Sequence, residues 1–191
     1  MRLAISNWST VALQTLLTSF TLPTAISAST APSPPDLSFL YTAYVQCEST
    51  LMNSPGPHGI RHTIPIVGGN FTGPRLSGQI LPVGADWGLV DPQTGIFSAD
   101  TRYNLRTDDG ENIFIQTSGP SAPSGNLHLR LVFETGSRKY YWLNNVIAVG
   151  VLTNVEATAN TSLLRIDAWN MADDWNSTTF VNSTGRSENM A

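Results

Sequence analysis

Apolar and polar positions alternate along short stretches of this chain, and the stretches end at glycine, proline or aspartate. Residues 37–47 are apolar and aromatic, with Phe39, Tyr41 and Val45 on one parity. A period of two puts alternate side chains on opposite faces of a strand. The same rule predicts strands at 62–67, 77–81, 99–107, 111–117, 127–135, 140–151 and 163–169. Asp108-Asp109-Gly110 between two of them is a hairpin signal. NSPGPHG at 53–59, DPQTG at 91–95 and GPSAPSG at 119–125 predict loops and turns. No long segment carries a helical period. Many short strands joined by such turns predict an all-β fold, one antiparallel sandwich or barrel.

Residues 68–87, GGNFTGPRLSGQILPVGADW, break this regularity. Glycine recurs at 68, 69, 73, 78 and 84, with Pro74 and Pro82 between them. Such spacing excludes a helix and suits short, sharply bent strands. Arg75, Asp86 and Trp87 sit among the breakers, residues a purely structural turn does not need. The stretch predicts a bent sheet corner that presents polar groups.

Composition narrows the class. Of 191 residues, 13% are charged and 41% hydrophobic, and the net charge of −4 with one lysine, Lys139, argues against a nucleic-acid partner. No apolar run approaches the roughly 18 residues of a membrane span. Residues 1–28 have the layout of a secretory signal peptide: Arg2, a mostly apolar stretch at 11–22, then the small residues Ala25 to Ala28. A transit peptide or a disordered tail are the alternatives. Residues 29–36 are expected to be a linker, 37–170 a single domain and 171–191 a flexible polar tail. Asn70, Asn160, Asn176 and Asn182 each begin a glycosylation sequon, which agrees with secretion. The single cysteine, Cys47, excludes an internal disulfide and reads as a small buried hydrophobe.

Several separated motifs carry a family resemblance. The spacing GG-x-F-x-GP-x-L-x-G, then GADW, ADTRYNLRTDDG, FETG, and YYWLNN with AVG resembles the domain-of-unknown-function family 3237, from about residue 61 to 150. Val83 and Ala148 depart from its pattern, where a glycine and an aromatic residue are usual. The resemblance implies a compact β-barrel with a central pocket, similar in outline to allene oxide cyclase or lipocalin barrels. It also implies that some fungal relatives are cofactor-free cyclases or isomerases of natural-product pathways.

The candidate chemistry follows from acids, arginines and aromatics in these motifs. Asp86 beside Trp87 is either a desolvated acid with a raised pKa or a turn aspartate bonding its own backbone. Asp100 and Arg102 share one face of their strand, with Thr101 and Tyr103 on the other. Inside a barrel, Asp100 and Arg102 would form an oriented ion pair; outside, a surface salt bridge. Arg75 would bind a substrate oxygen or be a surface charge. Trp142 with Asn144 would wall a planar ligand or belong to the core. Glu134 faces out if Phe133 faces the core. Asp86, Asp100, Arg102 and Tyr103 are thus the catalytic candidates; Arg75, Trp87, Glu134, Trp142 and Asn144 are the binding candidates. His58, His62 and His128 have no metal-ligand spacing, and no nucleotide-binding or nucleophile-elbow motif is present, so neither a metal nor a cofactor is expected. The expected partner is a hydrophobic oxygenated small molecule. It would be cyclised or isomerised by proton transfer, or carried without turnover by a lipocalin-like binding protein.

Overall fold

A computed structural model describes residues 31–171, and the backbone of 179–181 and 187–189. The strands are β1 (Leu37–Glu48), β2 (Met52–Gly56), β3 (Gly59–Thr72), β4 (Ser77–Asp86), β5 (Leu89–Val90), β6 (Phe97–Thr107), β7 (Asn112–Pro120), β8 (Leu127–Glu134), β9 (Ala148–Ala157) and β10 (Thr161–Met171). A short antiparallel pair, β11 (Thr179–Val181) with β12 (Ser187–Asn189), follows. Of residues 171–191, expected to be a flexible polar tail, the structure describes 171, 179–181 and 187–189. The signal-peptide reading of 1–28 and the sequons at Asn176 and Asn182 lie outside the described residues.

The strands run β1-β10-β9-β8-β7-β6-β4-β3, each antiparallel to the next, and β1 pairs with β3 to close the ring. The fold is therefore a closed eight-stranded antiparallel β-barrel, in which β5 continues β4 between β3 and β6 and β2 pairs with the first residues of β3. Closure leaves no free edge in the ring. It also turns the alternation of each strand into a lumen face and an outer face. In β6, Ala99, Thr101, Tyr103 and Leu105 are buried while Arg102 and Arg106 are exposed.

The bent corner at 68–87 is two long strands that meet at the turn before Leu76. Register shifts between Pro65 and Asn70 and between Ile80 and Gly84 bend the sheet there, as β-bulges do. Gly69 has φ +136, and a Cβ on it would lie 2.0 Å from the Tyr44 carbonyl oxygen, so only glycine lets β1 and β3 approach.

Two predicted elements differ. NSPGPHG is largely strand β2 in a hairpin with β3, not a loop. Pro55 is tolerated because β2 is an edge strand. Residues 140–151 do not form one strand. Tyr141–Asn145 winds into a 3-10 helix, and β9 begins only at Ala148. The Asn144 side chain accounts for this: its amide donates to the carbonyls of Thr135 (3.0 Å) and Tyr141 (2.9 Å), and accepts from the Thr135 N–H (2.9 Å). Such local bonds compete with an extended ladder.

One end of the barrel is filled. Tyr41 packs edge-on against Phe71 (5.8 Å) and Phe133 (6.2 Å), among fully buried Leu105, Ile113 and Ile115. Buried Tyr140, Trp142 and Leu143 belong to the same core cluster. Tyr140 and Lys139 both bond Asp109 of the β6–β7 hairpin, tying this segment to that turn.

Candidate functional site

The opposite half of the barrel is hollow. A cavity of about 230 Å³ is walled by Val45, Ile64, Ile66, Leu164 and Ile166, with Phe97, Leu127 and Leu152 also lining it. Its polar lining comes from Cys47, Asp86, Thr101, Tyr103, Thr117, Asn154 and Ser162. Along β6 and β7 the inward residues of this half, Ala99, Thr101 and Thr117, are smaller than Leu105, Ile113 and Ile115 of the filled half, and the difference in side-chain volume leaves space.

Asp86 is the last residue of β4 and pairs with Ile64 on one side and Thr101 on the other. Beyond it, the Trp87 N–H donates to the Asp100 carbonyl (3.0 Å), and the Asp100 N–H donates to Asp86 Oδ1 (2.9 Å). The side chain thus bonds the backbone of the neighbouring strand β6, not that of its own turn, and lines the cavity as well. Burial pushes its pKa up from the usual carboxylate value to about 6. The Asp100 N–H bond opposes the rise, the Asp100 carboxylate adds to it and Arg61 lowers it.

Tyr103 reaches the lumen from β6 and is 2% exposed. Its hydroxyl has no hydrogen-bond partner. Burial raises its pKa, so it stays protonated. Gly84, its partner in the ladder, makes room: with φ +142, a Cβ there would lie 2.7 Å from the Tyr103 Cβ. Thr101 and Thr117 satisfy each other instead, through an Oγ1–Oγ1 contact of 2.5 Å and a bond from Thr101 to the Thr117 carbonyl (3.0 Å). Burial pushes the Cys47 thiol up to about 12, with the Asp86 carboxylate adding to the rise and a Ser162 hydrogen bond opposing it. Cys47 is buried, as its sequence reading expected, but it also lines the cavity.

Seven candidates from the sequence do not reach the cavity. Asp100 and Arg102 form a half-exposed salt bridge on the outer face (3.0 Å), because their parity is opposite to that of Thr101 and Tyr103. Arg61 joins them, 3.7 Å from Asp100, and donates to the Trp87 carbonyl. The Trp87 side chain is 38% exposed. Glu134 faces out because Phe133 faces in. Arg75 is exposed at the filled end, its guanidinium 3.7 Å from the centre of the Trp142 ring, which closes that end. Asn144 is occupied by the bonds to Thr135 and Tyr141. The lining residues missed at first, Thr101 and Thr117, were findable: Thr101 shares the parity of Tyr103, and Thr117 is its ladder partner. Among the described residues, no cluster of histidine, cysteine, aspartate and glutamate could hold a metal, and no helix is long and apolar enough to cross a membrane.

Comparison with known proteins agrees with this architecture. The chain is 31% identical over 124 residues to the hydroalkoxylation enzyme phnH of Penicillium herquei, covering 65% of this chain and 78% of the relative. An enzyme from Penicillium herquei, solved by crystallography, superposes with a TM-score of 0.61 at 27% identity, over 75% of this chain and 98% of that one. A β-barrel-like protein from Acinetobacter baumannii superposes with a TM-score of 0.59 at 34% identity, over 73% of this chain and 97% of that one. The family model for proteins of unknown function designated DUF3237 matches residues 35–171, the whole barrel, and the chain belongs to that family.

Proposed function

We propose that this protein is a cofactor-independent enzyme of natural-product biosynthesis that adds a substrate hydroxyl across a carbon–carbon double bond of the same molecule. The observation that carries this reading is the carboxylate of Asp86, desolvated in a mostly apolar cavity. The name of the Penicillium herquei relative supports the reaction class.

The chemistry is redox-neutral and needs only positioning and one acid–base group. The Asp86 carboxylate takes the proton of the attacking hydroxyl. The oxygen bonds to one alkene carbon as the π bond breaks, and the other alkene carbon takes the proton back from Asp86. With a pKa of about 6, Asp86 is mostly ionised at neutral pH, the form this step requires. Turnover therefore rises with pH through about 6. The apolar walls would hold the chain so that hydroxyl and alkene meet.

Asp86→Asn tests this with ortho-allylphenol and related alkenols as substrates, product being followed by chromatography. Turnover is expected to fall by about 10² to 10⁴. Unchanged turnover overturns the role of Asp86. Retention of these ligands by the wild-type protein without any product assigns the cavity to a carrier, a reading that its mostly apolar wall also suits. The same proposal places the protein in the secretory pathway. Asn160, exposed in the β9–β10 turn, and Asn70, exposed on β3, would carry glycans there. A mass shift on enzymatic deglycosylation of the secreted protein checks this.

A further inference from the structure

We propose that the Tyr103 hydroxyl is the anchor that selects the substrate: it donates to the carbonyl oxygen of an aryl ketone whose ring lies in the hollow half of the barrel. The inference rests on the reading of that cavity as the substrate site.

Four observations converge on it. Tyr103 lines the cavity, and its hydroxyl is buried with no partner in the protein. A buried hydroxyl left unpaired costs about 1–3 kcal/mol, so native structures keep few of them. The neighbouring threonines differ, since Thr101 and Thr117 bond each other and ask nothing of a ligand. Tyr41 also has an unpaired hydroxyl, but it lies in the filled half and does not line the cavity. Among the described residues that line the cavity, Tyr103 is therefore the one with a buried, unsatisfied donor. Because burial keeps it protonated, it suits an acceptor oxygen.

The size of the space sets the rest. A cavity of about 230 Å³ holds an aromatic ring with its substituents. A larger substrate would insert one ring and leave the remainder by Phe97 and Leu127, where His62 packs edge-on against Phe97 (6.0 Å). Asp86 pairs with Thr101, and Tyr103 is two residues further along β6. Their backbone positions are thus about 7 Å apart along the strand direction. One ring can span that interval, with its ketone at Tyr103 and its reacting hydroxyl at Asp86. The ketone also leads the way in, because Tyr103 is on the side of Asp86 that faces the filled end.

Matched probes test the anchor without needing the natural substrate. Acetophenone and isopropylbenzene have similar size and differ in the carbonyl. Binding of each is measured by NMR titration to wild type, Tyr103→Phe and Asp86→Asn. Wild type is expected to prefer the ketone. Tyr103→Phe is expected to reduce that preference by about tenfold, as loss of one hydrogen bond implies. Its affinity for isopropylbenzene should not change, and its melting temperature should not fall, because it loses an unpaired hydroxyl. Asp86→Asn should keep the preference. An unchanged preference in Tyr103→Phe, or binding of neither probe by wild type, overturns the inference. The two readings fail separately. Ketone preference that follows Tyr103 in a protein without turnover sinks the enzyme, not the anchor. Turnover that depends on Asp86 but not on Tyr103 sinks the anchor, not the enzyme.

Discussion

The same strands run through two environments in this barrel. β1 contributes Tyr41 to the filled half, and Val45 and Cys47 to the hollow one. β6 contributes Leu105 to the first, and Ala99 and Thr101 to the second; β7 contributes Ile113 and Ile115, then Thr117. Backbone geometry is continuous across the two halves. Only side-chain volume and polarity change. An eight-stranded barrel is just wide enough either to be filled by its own side chains or to hold one small ligand. Here the two outcomes share one molecule. Tyr41, Phe71, Phe133 and Trp142 fill one end, so the other end can hold a desolvated acid and an unpaired hydroxyl without loss of the fold.

If stability resides in the filled half, truncation there should be the most damaging change. Phe133→Ala is expected to cost about 3–5 kcal/mol in denaturant unfolding, whereas Leu152→Ala, partly exposed at the cavity, should cost only about 1 kcal/mol. Equal costs would erase the distinction between the halves. The next largest effect belongs to Asp86 and depends on pH. Its folded pKa of about 6 lies above the ordinary carboxylate value, so the native state binds the proton more tightly than the unfolded chain. Stability is therefore present at low pH and is lost as pH rises through about 6. Asp86→Asn removes this dependence. Its advantage over wild type should grow to as much as about 3 kcal/mol by pH 8 and vanish near pH 4. A parallel pair of stability–pH curves would show that Asp86 is not desolvated.

Smaller changes sharpen the boundary. Asn144→Ala strips three hydrogen bonds from the segment at the filled end, two of them to Thr135. It should cost about 1–3 kcal/mol, speed hydrogen exchange at the Thr135 amide and leave probe binding in the cavity unchanged. Arg102→Ala, on the outer face, should cost no more than about 1 kcal/mol and leave turnover unaltered. A large loss of turnover in Arg102→Ala would mean that the outer ion pair reaches the site after all.

Much of the β-architecture was legible along the chain. The hairpin at Asp108-Asp109-Gly110, the strands on either side of it and the glycine-driven bend at 68–87 follow from local steric rules. So does the separation of Thr101 and Tyr103 from Asp100 and Arg102, because parity is a property of any extended strand. The segment at 140–151 was not legible. Its mixed aromatic and polar positions fit a strand, and Asn144 finds its partners on Thr135, nine residues away. What the sequence by itself determined is thus the set of strands, their turns and the pairing of side chains by face. Only the tertiary structure decided which face is the lumen, through the closure of β1 on β3. Only it decided which end is hollow, since that depends on side chains from all eight strands meeting at one level. The raised pKa of Asp86 has the same origin. Desolvation comes from burial beside a cavity whose other walls, Cys47, Phe97 and Ile166 among them, only the fold assembles.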